Sequence, residues 1–216
     1  MQVEGDPSRL SELLFPNGLI PQIITLIVET WPKLAKPCDD EDEPKITHRF
    51  VKLLDSESRA KRLRLRIQAH VKELEMLNEA TGKGFGEIDI HIPHGYDTRC
   101  YFAIEAKKLN TLCRNGRRVS GAGAYVGEEG LICFITGKYG KYQSEAGMLG
   151  YVMDGNCTKA KERITHAIER RADDLGIPRP VCLSQSAAIP SDPAVFETQH
   201  TVARGPLKVH HILVAV

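Results

Sequence analysis

The chain has 216 residues, 42% hydrophobic and 26% charged, which excludes a disordered or fibrous polymer and suits one globular domain with room for a core. Its 29 Lys and Arg stand against 28 Asp and Glu, a net charge of +1. That balance excludes a uniformly basic coat, but not a basic patch beside an acidic one.

From the N-terminus, residues 1–14 carry Glu4, Asp6 and Glu12 where a secretory signal would be basic. The apolar stretch 19–28 is interrupted by Pro21, Gln22 and Thr25 and falls short of the ~20 residues a bilayer requires. A cytoplasmic protein with no membrane segment is the expectation. Pro21 can start a helix, and Ile23, Ile24, Ile27 and Trp31 then recur at helical spacing. Residues 1–40 thus read as a helical lead-in to a main domain of residues 41–216, the whole forming one compact unit. The six cysteines, Cys38, Cys100, Cys113, Cys133, Cys157 and Cys182, include no C-x-x-C pair, so reduced thiols are expected rather than structural zinc.

Five consecutive acids, Asp39, Asp40, Glu41, Asp42 and Glu43, precede Pro44, which suits a first helical position. Ile46, Phe50, Leu53 and Leu54 then share one face, predicting a helix of about three turns with acids at its positive end. Residues 62–72 fit two periods. Leu63, Leu65, Ile67, Ala69 and Val71 alternate as in a strand, while Leu63, Ile67, Val71 and Leu74 fit a helix. Gly82, Gly84 and Gly86 mark a turn. Residues 87–92 alternate with Ile88, Ile90 and Ile92 on one face, and Pro93, His94 and Gly95 close the segment. Residues 100–107 alternate again, with Phe102, Ile104 and Ala106 opposite Tyr101, Ala103, Glu105 and Lys107. Two such strands with a short connection predict a hairpin.

Residues 110–130, rich in Gly and basic side chains, read as a mobile loop. Residues 131–136 fit strand or helix, and 148–153 fit a strand. Thr158 opens a helix with Ile164, Ala167, Ile168, Ala172 and Leu175 facing inward and Gly176 as its stop. Residues 178–193 read as loop and 207–216 as an apolar strand.

The hairpin carries the chemistry. Its polar face presents Asp89 on one strand and Glu105 and Lys107, two residues apart and so on one side, on the next. Charge in the middle of a sheet is costly unless paired or bound to metal. Two adjacent carboxylates hold a hard cation such as Mg²⁺ through oxygen. Such a cation activates water and offsets charge on a phosphate, and a lysine beside it can orient the water.

At Gly86-Glu87-Ile88-Asp89-Ile90 and Ala103-Ile104-Glu105-Ala106-Lys107 the sequence resembles the PD-(D/E)xK nuclease superfamily, with a hydrophobic residue before each acid. Ile88 stands where that pattern has its proline. The resemblance implies an α/β, restriction-endonuclease-like core, a central mixed β-sheet flanked by helices in the order αβββαβ, followed by a C-terminal strand. It implies Asp89 and Glu105 as metal ligands for Mg²⁺ or Mn²⁺, Lys107 as the catalytic lysine, and Glu43 as a further acid. It favours strand over helix for 62–72 and a connecting helix over 127–139. The expected activity is hydrolysis of phosphodiester bonds in nucleic acid, most simply a DNA endonuclease of restriction or defence against foreign DNA, acting alone, as a homodimer or with a protein partner. Residues 137–151 also resemble uncharacterised bacterial nuclease-like proteins.

Lys107, Lys108, Arg114, Arg117 and Arg118 run without an intervening acid, and Lys108 and the three arginines are the candidate nucleic-acid contacts beside the site. Lys159, Lys161, Arg163, Arg170 and Arg171 form a second basic group whose ordinary reading is a solvated helix face. His91 and Glu87 share the predicted face of Asp89 as accessory candidates, and Tyr139, Tyr142 and Gln143 are candidates to line a substrate groove. Two other readings fit the same residues: a nucleic-acid-binding subunit that does not cut, and a partner-binding structural domain in which the hairpin charges form an exposed pair of little consequence.

Overall fold

The computed structural model describes residues 15–16, 18–72, 86–95 and 100–216. Gly82 and Gly84, read as part of a turn, lie outside them. The protein is α/β, with a mixed seven-stranded sheet between two layers of helices.

Helix α1 (Leu19–Thr30) buries Ile23, Ile24 and Ile27, as their spacing predicts, and runs into a 3-10 turn at Trp31–Lys33. Helix α2 (Glu43–Ser56) begins one residue before Pro44, which therefore occupies its second position. Ile46, Phe50 and Leu54 form its buried ridge at four-residue spacing, while Leu53 is only half-buried.

The strand expected over 62–72 is in fact a helix end followed by a shorter strand. Helix α3 (Ser58–Arg62) stops where Leu65 N–H donates to Ala60 O and Arg64 N–H to Lys61 O, with Arg64 at φ +53. That bond pattern is a Schellman close made without glycine, so no composition cue announces it. Strand β1 (Gln68–Lys72) follows and pairs antiparallel with β2 (Glu87–Pro93), which pairs antiparallel with β3 (Tyr101–Leu109).

The loop expected over 110–130 is instead a small hairpin, β4 (Thr111–Leu112) with β5 (Arg118–Val119), and a short helix α4 (Ala122–Val126). Gly121, at φ +71, joins them where a Cβ would run into the carbonyl of Lys108, so the hairpin folds back directly onto β3. The single connecting helix expected over 127–139 is broken. Only α5 (Ile132–Ile135) forms, because the chain doubles back at Gly130, where a side chain would strike the carbonyls of Ala124 and Tyr125.

Strand β6 (Glu145–Val152) then enters parallel to β3. Helix α6 (Cys157–Arg170) is capped by Asn156, whose side chain accepts from Lys159 N–H at 2.9 Å. It ends before the expected Ala172, and the chain turns until Gly176 at φ +62. Strands β7 (Ser184–Gln185), β8 (Val195–Val202) and β9 (Gly205–Ala215) complete the sheet, in the order β1-β2-β3-β6-β9-β8-β7. β8 has no counterpart among the predicted elements. β9 is parallel to β6, so the three central strands run together while both wings are antiparallel.

One face of the sheet, with Ile90, Phe102, Ile104, Leu149 and Tyr151, packs on α1 and α2. The other, with Tyr101, Ala103, Met148 and Val209, packs on α4, α5 and α6. The alternation of β3 is thus split between two cores. Among the described residues no helix is long and apolar enough to cross a membrane.

Candidate active site

The site forms where β2 and β3 part. Their ladder runs from Pro93↔Tyr101 to Ile90↔Ile104, and one further step sets Asp89 across from Glu105. There Asp89 Oδ2 accepts the main-chain N–H of Ala106 at 2.8 Å, a bond that locks the carboxylate across the two strands. Lys107 reaches back along β3, and its Nζ donates to Glu105 Oε1 at 2.8 Å and to Ala106 O at 2.9 Å. The same ammonium lies 3.3 Å from Glu43 Oε1 and 3.8 Å from Asp89 Oδ2. Glu43, the first residue of α2, takes the Lys108 N–H on its other oxygen. The structure therefore brings Glu43, Asp89, Glu105 and Lys107 together from one helix and two strands.

Three carboxyls around one ammonium crowd negative charge into a poorly hydrated place, and a proton held there relieves part of it. Glu105 is 5% exposed. Burial first, and the neighbouring Asp89 second, push its carboxyl up to about 8 against the pull of Lys107, and the two carboxyls are near enough to share a proton. For Lys107, burial opposes the charge, but Glu105, Glu43 and Asp89 outweigh it and hold the ammonium firmly protonated. Glu105 Oε2 is buried without any hydrogen-bond partner.

A carboxylate oxygen without a partner beside a second carboxylate is the kind of donor set that a divalent cation takes. Among the described residues no three His, Cys, Asp or Glu side chains make a group that could hold a metal ion. The donor pair on hand is Asp89 with Glu105, which suits Mg²⁺, an ion that commonly takes one or two carboxylates and completes its shell with water and substrate phosphate. Both oxygens of Glu43 already accept hydrogen bonds within the chain, from Lys107 and Lys108.

His70 joins the site without having been picked out from the sequence. It sits in β1 at φ +54, a conformation uncommon for a residue with a side chain. Its Nε2 faces Pro44 O at 3.1 Å, while Nδ1 lies 3.2 Å from Glu87 Oε1 and 3.7 Å from Asp89 Oδ1. It thus ties the start of α2 to the β2 acids. The only sequence cue was its place on the polar side of an alternating stretch. Glu87 is exposed and enters the site through His70. His91 instead packs its ring 4.7 Å from that of Tyr101, and burial, then Arg66, pushes it down to about 4.

The basic candidates divide. Lys108 Nζ donates to the carbonyls of Asp39 and Glu41 at 2.6 and 2.8 Å, stitching the acidic run to β3. Arg114, Arg117 and Arg118 ride the β4–β5 hairpin, exposed, with Arg118 anchored on Asn110 O. Tyr139 is buried, its hydroxyl donating to Glu87 O at 3.0 Å where Gly86 leaves room for the ring.

Compared with protein-family models, with curated proteins and with solved structures, the chain matches none.

Proposed function

We propose that this protein is a metal-dependent nuclease that hydrolyses phosphodiester bonds of nucleic acid, with DNA as substrate. The observation that carries the reading is the buried, unpartnered Glu105 oxygen facing Asp89, with Lys107 bonded to the same carboxylate. The order of elements, a helix, three antiparallel strands, short helices and a strand parallel to the third, is compatible with a restriction-endonuclease-like core. Restriction or defence against foreign DNA, as the biological setting, comes from the resemblance alone.

Asp89 and Glu105 would hold Mg²⁺ or Mn²⁺, which supplies a more acidic bound water and offsets negative charge on the phosphate. The chain's own residues do the rest. Asp89 is held in orientation by Ala106 N–H, and Glu105 by Lys107, so neither carboxylate has to reorganise. Lys107, always charged, spends its three N–H donors on Glu105, Ala106 O and Glu43, and exchanging the long Glu43 bond would let it reach the attacking water or a phosphate oxygen. Glu43 fixes the lysine from the helix side, and His70 braces Asp89 from β1.

The test is incubation of the purified protein with plasmid DNA, single-stranded DNA and RNA, each with Mg²⁺, Mn²⁺ or chelator. Cutting that needs the metal and vanishes in Asp89→Ala and Lys107→Ala is the expected result. Undiminished cutting in both variants would remove these residues from the chemistry. Tight binding with no cutting of any substrate would favour the non-cutting subunit instead.

A further inference from the structure

Beyond β3 lies a second polar site, centred on Asn110. This residue is fully buried and, though not glycine, sits at φ +53. Its side-chain amide donates to Asp154 Oδ1 at 2.9 Å, and its main-chain N–H to Ser120 O at 3.0 Å. Its two carbonyl oxygens hold two guanidinium groups: Arg118 on the main-chain oxygen, Arg163 on Oδ1 at 2.7 Å. A buried residue in the left-handed conformation, which asparagine adopts more readily than most, thus holds two arginines.

Both arginines line a cleft of about 520 Å³ between the β4–β5 hairpin, α4 and α6, together with Arg170, His166 and Glu162. Gly123 leaves one wall bare, since a Cβ there would meet nothing within 4 Å. Among the described residues Glu162 forms no ion pair, and neither do Arg163 and Arg170. Arg118 has Asp39 at 4.0 Å and the nearby charge of Asp154, and His166 has Glu169 at 3.6 Å. Three guanidiniums therefore converge with one unpaired carboxylate among them. Like charges gathered in this way are repulsive until an anion enters, and planar guanidinium forks match phosphate oxygens.

We propose that this cleft binds a phosphate group of the substrate nucleic acid. Only the identity of the phosphate's carrier rests on the nuclease reading; the affinity for phosphate rests on the cleft. Asn110 follows Lys107 by three residues, roughly 10 Å along an extended strand. A duplex strand presents a phosphate about every 3.4 Å of its axis, so cleft and catalytic group can engage one substrate a few nucleotides apart. Arg163 and Arg170, which sequence alone assigns to a solvated helix face, become substrate contacts.

The test separates the two readings by measuring binding in chelator, where no cutting occurs. Inorganic phosphate is titrated into the full chain while the His166 ring resonances are followed by NMR, and a labelled DNA duplex is titrated by fluorescence anisotropy. The expected result is a phosphate-dependent shift of His166 and an affinity for both probes at least about tenfold weaker in Arg163→Gln and in Arg170→Gln. Arg170 is exposed and unpaired, so that variant keeps the fold. A His166 signal that neither probe moves, or affinities unchanged in both variants, would overturn the cleft even if the protein cuts DNA. Phosphate binding lost in the variants, with no duplex binding at all, would keep the cleft and overturn duplex DNA as the carrier of its phosphate.

Discussion

Two of the polar clusters that the sheet buries differ in what they leave over. In the wing, Thr198 Oγ1 lies 2.7 Å from His200 Nε2 and 2.9 Å from His211 Nε2. His200 Nδ1 meets Leu175 O at 2.8 Å, and His211 Nδ1 meets the Tyr125 hydroxyl at 3.1 Å. One assignment pairs all four ring nitrogens with both rings neutral: Tyr125 turns its proton from Met148 O, 3.2 Å away, to His211, His211 donates to Thr198, Thr198 to His200, and His200 to the Leu175 carbonyl. Nothing remains to bind. Around Lys107, by contrast, three carboxyls share one ammonium, and Glu105 Oε2 has no hydrogen-bond partner. Burial of polar residues is common to both clusters; of these two, the one around Lys107 has the excess of acids and the missing partner that a site requires.

The comparison breaks most visibly through activity. Lys107→Met or Asp89→Asn should lower the cleavage rate by about 10²- to 10³-fold, read from plasmid nicking, while a thermal melt shows the fold intact. The reverse holds in the wing. Thr198→Val strands two buried ring nitrogens, and urea unfolding should show a loss of about 2–4 kcal/mol with cleavage per folded molecule unchanged.

Acid should expose the wing next. Burial pushes His200 down from 6.5 to about 4, and it lowers His211 well below its ordinary value. Between those limits the unfolded chain binds the proton and the folded chain does not, so stability rises with pH through that window and is lost as pH falls from about 6.5 toward 4. Urea midpoints across that range should reveal about 3 kcal/mol from His200, a slope that His200→Gln flattens. The smallest effect sharpens the contrast most. Glu105→Gln removes a buried carboxyl that has to take up a proton on folding near neutral pH, so in chelator it should leave the protein as stable as before or stabler by about 1 kcal/mol, while abolishing any rise of the melting temperature on adding Mg²⁺. A destabilised variant would mean that Glu105 is there for structure.

Much of this was legible in the chain. The alternation of Ile88, Ile90 and Ile92 against Phe102, Ile104 and Ala106 predicts the hairpin, and with it the meeting of Asp89, Glu105 and Lys107. The acids before Pro44 announce α2. Other features resist reading for definite reasons. β8 buries Glu197, Thr198 and His200, so its binary pattern is masked. The end of α3 and the placement of His70 depend on left-handed residues that are not glycine. The aiming of Arg118 and Arg163 by Asn110 joins parts of the chain that no local pattern connects. The separated acidic and basic runs turn out to be neighbours, with Lys108 fastening one to the other rather than waiting for phosphate.

Trp31 is the only tryptophan in the chain. Its ring stacks on Tyr151 with centroids 5.1 Å apart, edge-on to Phe50 of α2, and its Nε1 donates to Ala215 O at 2.6 Å. The Tyr151 hydroxyl in turn meets Thr47 Oγ1 at 3.0 Å, one helical turn beyond Glu43. Any shift in how α2 seats on the sheet must pass through the surroundings of that one indole. The protein carries a built-in optical gauge: its emission spectrum reads the position of the helix that brings Glu43 to Lys107, without a label and without a substrate.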